Sequence, residues 1–190
     1  MSALEIEPLA DTVQLRPFET ATSVLARVAA MERSANARQY ARDFYVKFDK
    51  VISGDPGELK KVSALLSLDH DELVRWTPRA ARNGFVIGGE MITHYRSRRT
   101  RLRICPVCAQ QDVAAAPGLP LDAAVACSAY SLVEPIRTCF LHDTALVQVA
   151  TRQSFGDHDH DFSLAIADAL EEWDTLIASP VTRAPSMLEW

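Results

Sequence analysis

Aromatic side chains are scarce in this chain, at 7% of 190 residues. Alanine and leucine dominate an apolar fraction of 48%, so the balance favours a helical protein with enough apolar mass for a core. No run approaches the roughly 18 consecutive apolar residues of a membrane-spanning helix. Catalytic signatures are also missing. There is no Gly-x-Ser-x-Gly, no phosphate-cradling glycine-rich loop and no His-Glu-x-x-His, so no enzyme is expected. A global excess of positive charge is lacking too: the net charge is −5, and the molecule as a whole is not drawn to nucleic acid. The opening Met1-Ser2-Ala3-Leu4-Glu5 carries an acid and lacks the basic start of a signal peptide. The expected location is cytoplasmic, where cysteines stay reduced and bind metal more often than they form disulfides.

Against these absences stand two short pairs, Cys105-Pro106-Val107-Cys108 and Cys139-Phe140-Leu141-His142. In each, two residues separate the ligands, a spacing that lets a tight turn aim both at one ion. Three cysteines and one histidine make a closed tetrahedral set, so one structural Zn2+ on Cys105, Cys108, Cys139 and His142 is expected. Pro106 suits such a turn through its fixed φ. The fourth cysteine, Cys127, lies in a run of small residues without a second ligand beside it, and reads as a buried small hydrophobe. Its other reading is a substitute for one of the four ligands.

The N-terminal half carries helical periodicity. After Pro17 a helix is expected from near Glu19 or Thr20, with Val24, Leu25, Val28 and Ala29 on one face. A second is expected from Asn36, with Tyr40, Phe44, Phe48 and Val51-Ile52 as its apolar stripe. Ser53-Gly54-Asp55-Pro56-Gly57 ends it. Leu59, Val62, Leu65 and Leu66 then form a short amphipathic helix. Asp69, with Glu72 three residues on, resembles a capping box for another, which sends Leu73 and Trp76 to the core. Two short helices across so short a turn give a helix-turn-helix outline, or an ordinary helical hairpin, since the usual turn glycine is missing.

After Pro78 the pattern changes to strands. Phe85-Val86-Ile87, Gly88-Gly89 and Met91-Ile92 read as a β-hairpin. Between Arg79 and Arg103 there are seven arginines and one acid, Glu90. Arg96, Arg98, Arg99, Arg101 and Arg103 are candidate contacts to duplex DNA phosphates, or else a solvated strand face. Strands entering the first pair and leaving the second give the layout of a zinc ribbon with an enlarged insertion. In Asp157-His158-Asp159-His160-Asp161, His158 and His160 are a candidate second metal pair, or part of a solvated acidic loop. Asp161 or Ser163 is a candidate cap for the following helix, whose face is Phe162, Ile166, Ala169, Leu170, Trp173 and Ile177. The fold class expected is mainly α with a small β zinc ribbon. Its divisions are a helix-turn-helix-like domain over 1–92, a zinc-ribbon module over 93–152, and an acidic loop, C-terminal helix and tail over 153–190.

With the second pair placed, the chain resembles the TniQ family. The residues carrying the resemblance are Arg103-Ile104-Cys105-Pro106-Val107-Cys108 with Asp112, then Arg137-Thr138-Cys139-Phe140-Leu141-His142 with Leu146. Upstream, Glu19 to Arg27 is similar to the family's opening helix, and Leu65 to Leu73 to its helix-turn-helix segment. The resemblance implies a non-enzymatic adaptor in DNA transposition that helps select the target site and links it to an AAA+ regulator or a targeting complex. It also implies a homodimer. The alternative is a protein-interaction or regulatory module with no direct DNA binding.

Overall fold

The structure, a computed structural model, describes residues 7–94, 102–150 and 160–178. Five helices fill the first part: α1 (Ala21–Met31), α2 (Ala37–Asp43), α3 (Phe48–Ile52), α4 (Pro56–Leu65) and α5 (His70–Trp76). Their starts are where short polar side chains stand. Thr20, Asn36, Asp55 and Asp69 each accept a backbone N–H from the first turn they precede. Val24, Leu25, Val28, Leu59, Val62, Leu65 and Leu73 meet in one buried apolar cluster.

The ends of α1 to α4 repeat one device. In each, the residue after the cap adopts a left-handed φ and its N–H, with the next, bonds back into the last turn. The residue in that position is Arg33 (φ 55°), Tyr45 (57°), Gly54 (72°) and Ser67 (52°). Only Gly54 is the residue type the conformation favours. It is also needed for space, because a Cβ there would lie 2.6 Å from the Pro78 carbonyl oxygen.

This device corrects the expected second helix. The stripe from Tyr40 to Ile52 is not one helix, because Tyr45 turns left-handed and breaks it into α2 and α3. Glu58 fixes the restart by accepting the Lys47 N–H at 2.9 Å. The capping box at α5 is half formed. Asp69 accepts from the Glu72 N–H, while the Glu72 carboxylate takes the Trp76 indole N–H at 2.7 Å.

Strands β1 (Arg79–Ala81), β2 (Gly84–Ile87) and β3 (Glu90–Thr93) form an antiparallel sheet in that order. Gly88 and Gly89, both left-handed, make the β2–β3 turn, and Gly88 lies against the Trp76 ring. β4 (Leu102–Ile104) is followed by α6 (Pro106–Ala115) and α7 (Leu121–Ala124). Then come a hairpin of β5 (Thr138–Cys139) and β6 (Thr144–Ala145), and β7 (Val147–Ala150), which pairs with β4. The C-terminal stripe is likewise broken into α8 (Phe162–Asp168), a 3-10 turn and α9 (Trp173–Ile177). Leu170, expected on the buried face, falls in that turn and is half exposed.

The architecture is therefore mixed, helical with small antiparallel sheets. The helix α1 packs on α7 and α8 as well as on α2. Asp161 ties these parts together. Its carboxylate caps α8 at Leu164 and also accepts the first N–H of α2, from Ala37, at 2.6 Å. Among the described residues, no helix is long and apolar enough to cross a membrane.

Candidate metal centre

Pairing of β4 with β7 sets Ile104 opposite Val147, which brings the chain entering α6 beside the β5–β6 hairpin. Cys105 is the residue before α6 and Cys108 lies in its first turn, so a helix start aims this pair, with Pro106 at the first helical position. Cys139 ends β5, and His142 lies in the turn back to β6, where Asp143 takes a left-handed φ of 48°. The first pair thus sits on a helix rather than on the strand turn expected of a ribbon.

The four ligand atoms lie within 4.8 Å of one another, and the set can hold a metal ion. The Cys108 and Cys139 Sγ atoms are 3.8 Å apart. The His142 Nδ1 lies 3.6 Å from the Cys105 Sγ, 3.3 Å from that of Cys108 and 3.6 Å from that of Cys139. At this spacing three thiols alone do not all ionise. Hydrogen bonds from Cys105, then Cys108, hold the Cys139 thiol well below the usual thiol range, while the Cys108 thiol is pushed up by Cys105, Cys139 and burial. A divalent cation at the centre would remove that competition and let all three act as thiolates.

The other expected residues fall elsewhere. Cys127 is buried in a second apolar cluster with Leu102, Leu132 and Phe162, away from the four ligands. Burial pushes its thiol well up. Arg96, Arg98, Arg99 and Arg101 lie outside the described residues, as do Asp157, His158 and Asp159. Arg103 is a correction. It is 3% exposed, and its guanidinium donates to the carbonyls of Val133, Glu134 and Ile136. Those bonds hold the approach to Cys139 against β4, and the side chain does not reach a surface where a phosphate would lie.

Two arrangements beside the centre escaped the sequence reading. The first is a buried polar network. Glu19 and Arg27, each 1% exposed, pair at 3.0 Å. Glu19 also accepts from the Ser23 hydroxyl, whose oxygen takes the Cys127 N–H. Arg27 donates to the Ala123 carbonyl, and Arg16 pairs with Asp112 on α6 at 3.2 Å. Asp112 takes the Ala126 N–H, and burial still raises its carboxyl above the usual range. The second is a ring cluster. Phe18 lies 4.7 Å from Trp76, 5.0 Å from Tyr130 and 4.9 Å from Phe140, centroid to centroid. Both join the helices to the ligand-bearing segment. Their only trace in the sequence is residue type, because their members come from segments far apart in the chain.

Fold and centre together define a small helical protein built around a clustered Cys3His set. The chain matches the TniQ family over residues 11–146 and belongs to it. The family is known as a non-catalytic, transposition-associated one, and membership carries a transposition-associated adaptor role in general. No curated protein and no solved structure matches the chain.

Proposed function

We propose that this protein is a zinc-dependent adaptor that recruits transposition proteins, an AAA+ regulator or a targeting complex, to a target site. The observation that carries the zinc assignment is the ligand spacing. Zinc–sulfur bonds of about 2.3 Å and zinc–nitrogen bonds of about 2.0–2.1 Å in a tetrahedron put sulfurs about 3.8 Å apart and sulfur about 3.6 Å from nitrogen. The separations of 3.8, 3.6, 3.3 and 3.6 Å fit that frame. Cys105, Cys108, Cys139 and His142 would hold the ion. With four protein ligands it would serve structure, by fixing α6 against the β5–β6 hairpin.

Metal analysis of the purified chain tests this, with about one zinc per chain expected. No zinc, together with folding indifferent to chelator, would reject it. The recruiting role is tested by gel filtration with the AAA+ regulator of the same transposition system. Co-elution is expected, and separate elution at micromolar concentrations counts against it. Light scattering of the chain alone tests the homodimer that the family resemblance implies.

The choice between DNA and protein contact turns on α5. Its first turn carries Asp71 and Glu72 after the Asp69 cap, and carboxylates there repel phosphates. Its last turn is covered by the β2–β3 turn, where the Gly88 N–H bonds the Arg75 carbonyl. These features favour protein contact over reading of the major groove. Direct binding would then rest on Arg96, Arg98, Arg99 and Arg101. Duplex affinity falling steeply with salt, and lost when Arg98, Arg99 and Arg101 become alanine, is the DNA outcome. An unchanged triple variant removes these arginines from the reading.

A further inference from the structure

Beside the metal centre, between α6 and the β5–β6 hairpin, lies a cavity of about 130 Å³. Its wall includes the mutually packed rings of Phe18, Tyr130 and Phe140, together with Arg16 and Asp112. An apolar cavity of about 150 Å³ holds one benzene, so this one has room for a single six-membered ring. Charge argues against an ionic guest, because Arg16 and Asp112 pair with each other. Chemistry asks for more than an apolar ring. Thr138, 5% exposed, lines the cavity, and its Oγ1 is buried without a hydrogen-bond partner. The hydroxyl oxygen of Tyr130, another lining residue, is also buried without a hydrogen-bond partner. Each can donate and accept, and a buried hydroxyl left unpaired costs about 1–3 kcal/mol. A guest ring carrying one hydroxyl would answer both. The ligand cysteines Cys105, Cys108 and Cys139 also line the space, but four protein ligands complete the proposed ion's shell, so the cavity is not an open coordination position.

The rim decides the source of the ring. Phe140 and Leu141, also lining residues, are 49% and 52% exposed. A free small phenol would leave them in water, whereas a polypeptide carrying the ring would cover them, as anchor residues in pockets do at interfaces. We propose that the cavity is a docking pocket for a tyrosine side chain of a partner polypeptide, with Thr138 and Tyr130 holding its hydroxyl and Phe140 and Leu141 packing against its backbone neighbours. This goes beyond the adaptor reading and can fail without it, since co-elution with the AAA+ regulator is measured separately.

The test is titration of the full chain, followed by amide NMR shifts, with p-cresol, toluene and the capped peptide acetyl-Ala-Tyr-Ala-amide. Expected are shifts around Thr138, Tyr130 and Leu141, with p-cresol binding better than toluene. Thr138→Val should weaken p-cresol about fivefold, the size of one net hydrogen bond, and leave toluene within about twofold. Thr138→Ser, which keeps the hydroxyl and so controls for misfolding, should retain p-cresol. The peptide should bind more tightly than p-cresol, and Leu141→Ser should remove that advantage. No shift with any probe overturns the pocket. A p-cresol affinity indifferent to Thr138→Val overturns the hydroxyl assignment. Equal binding of peptide and p-cresol, unchanged in Leu141→Ser, overturns the polypeptide source.

Discussion

The helices α1–α5 and the ligand-bearing segment 102–150 stabilise themselves by different means. The helices bury leucine, valine and phenylalanine in a continuous cluster, and four of the five are capped at their starts by a side chain. Besides α6, the segment has two-residue strands, one four-residue helix and a smaller apolar cluster that it shares with α8 and α9. Regular structure that short does not hold itself, because a first helical turn or a lone hairpin fixes many dihedrals for few bonds. What it has instead is four ligand atoms converging on one point, and Arg103 donating to three carbonyls. One part is organised by apolar area and the other by a polar centre, and the expectations below test that division.

Removing the proposed zinc should have the largest effect. Structural zinc binding of about 10–16 kcal/mol acts as folding free energy where the site exists only in the folded state. Chelator, or Cys108→Ser, should therefore abolish hydrogen-exchange protection across 102–150 while amides of α1 and α4 stay protected. Loss of both together would mean the two parts are one cooperative unit. Protection unchanged in both would mean the metal is dispensable.

The next effect lies at the seam. Glu19→Ala leaves Arg27 charged, buried and without its carboxylate, a change that costs about 3–5 kcal/mol. Replacing both, as Glu19→Leu with Arg27→Met, should recover most of it, since exchanging a buried pair for apolar side chains is often neutral. Urea denaturation of Glu19→Leu, Arg27→Met and the double variant, beside Glu19→Ala, reads this. An additive double variant would show that the two residues do not act as a pair.

The seam also shows where sequence reading stopped. Helix starts were legible because Thr20, Asn36 and Asp69 act on N–H groups three residues away. The ligand set was legible because each pair is local and its chemistry is demanding. Arg16 with Asp112, and Phe18 with Phe140, were not, because folding alone brings such distant segments together. Arg103 misled for a related reason. An arginine in a basic run looks the same whether it meets solvent or three carbonyls, and only pairing of β4 with β7 decides it. The two broken stripes failed differently. Periodicity reports which residues are apolar but not whether a left-handed residue such as Tyr45 interrupts the helix between them.

A pH series should find the helical part through Tyr40. This side chain, 6% exposed, has its phenol raised from 10 to about 12, by burial first and by the Glu32 charge second. A group whose folded value is raised contributes stability that is intact below its unfolded value, here pH 10, and is lost as pH rises through its folded value, about 12. Two such units correspond to about 3 kcal/mol. Alkaline destabilisation between these limits should shrink in Tyr40→Phe, and an unchanged slope would place the titration elsewhere.

The smallest effect should be a gain. Ser67 joins α4 to α5 in a left-handed conformation of φ 52°, where a side chain costs about 1–2 kcal/mol and glycine costs nothing. Its side chain is exposed, and the two bonds closing the α4 end use only backbone atoms, the N–H groups of Ser67 and Leu68. Ser67→Gly therefore removes strain and no contact. Against this, glycine widens the unfolded ensemble by about 0.5–1 kcal/mol. The balance should be a stabilisation of roughly 0.5 kcal/mol, seen as a raised urea midpoint at unchanged slope. Gly54→Ala at the equivalent end of α3 should do the opposite, because its new Cβ would meet the Pro78 carbonyl at 2.6 Å as well as the wrong φ. If both variants lose stability, Ser67 holds the α4–α5 turn through its side chain, and the glycine expected in a helix-turn-helix is absent there for a reason of contact rather than of conformation.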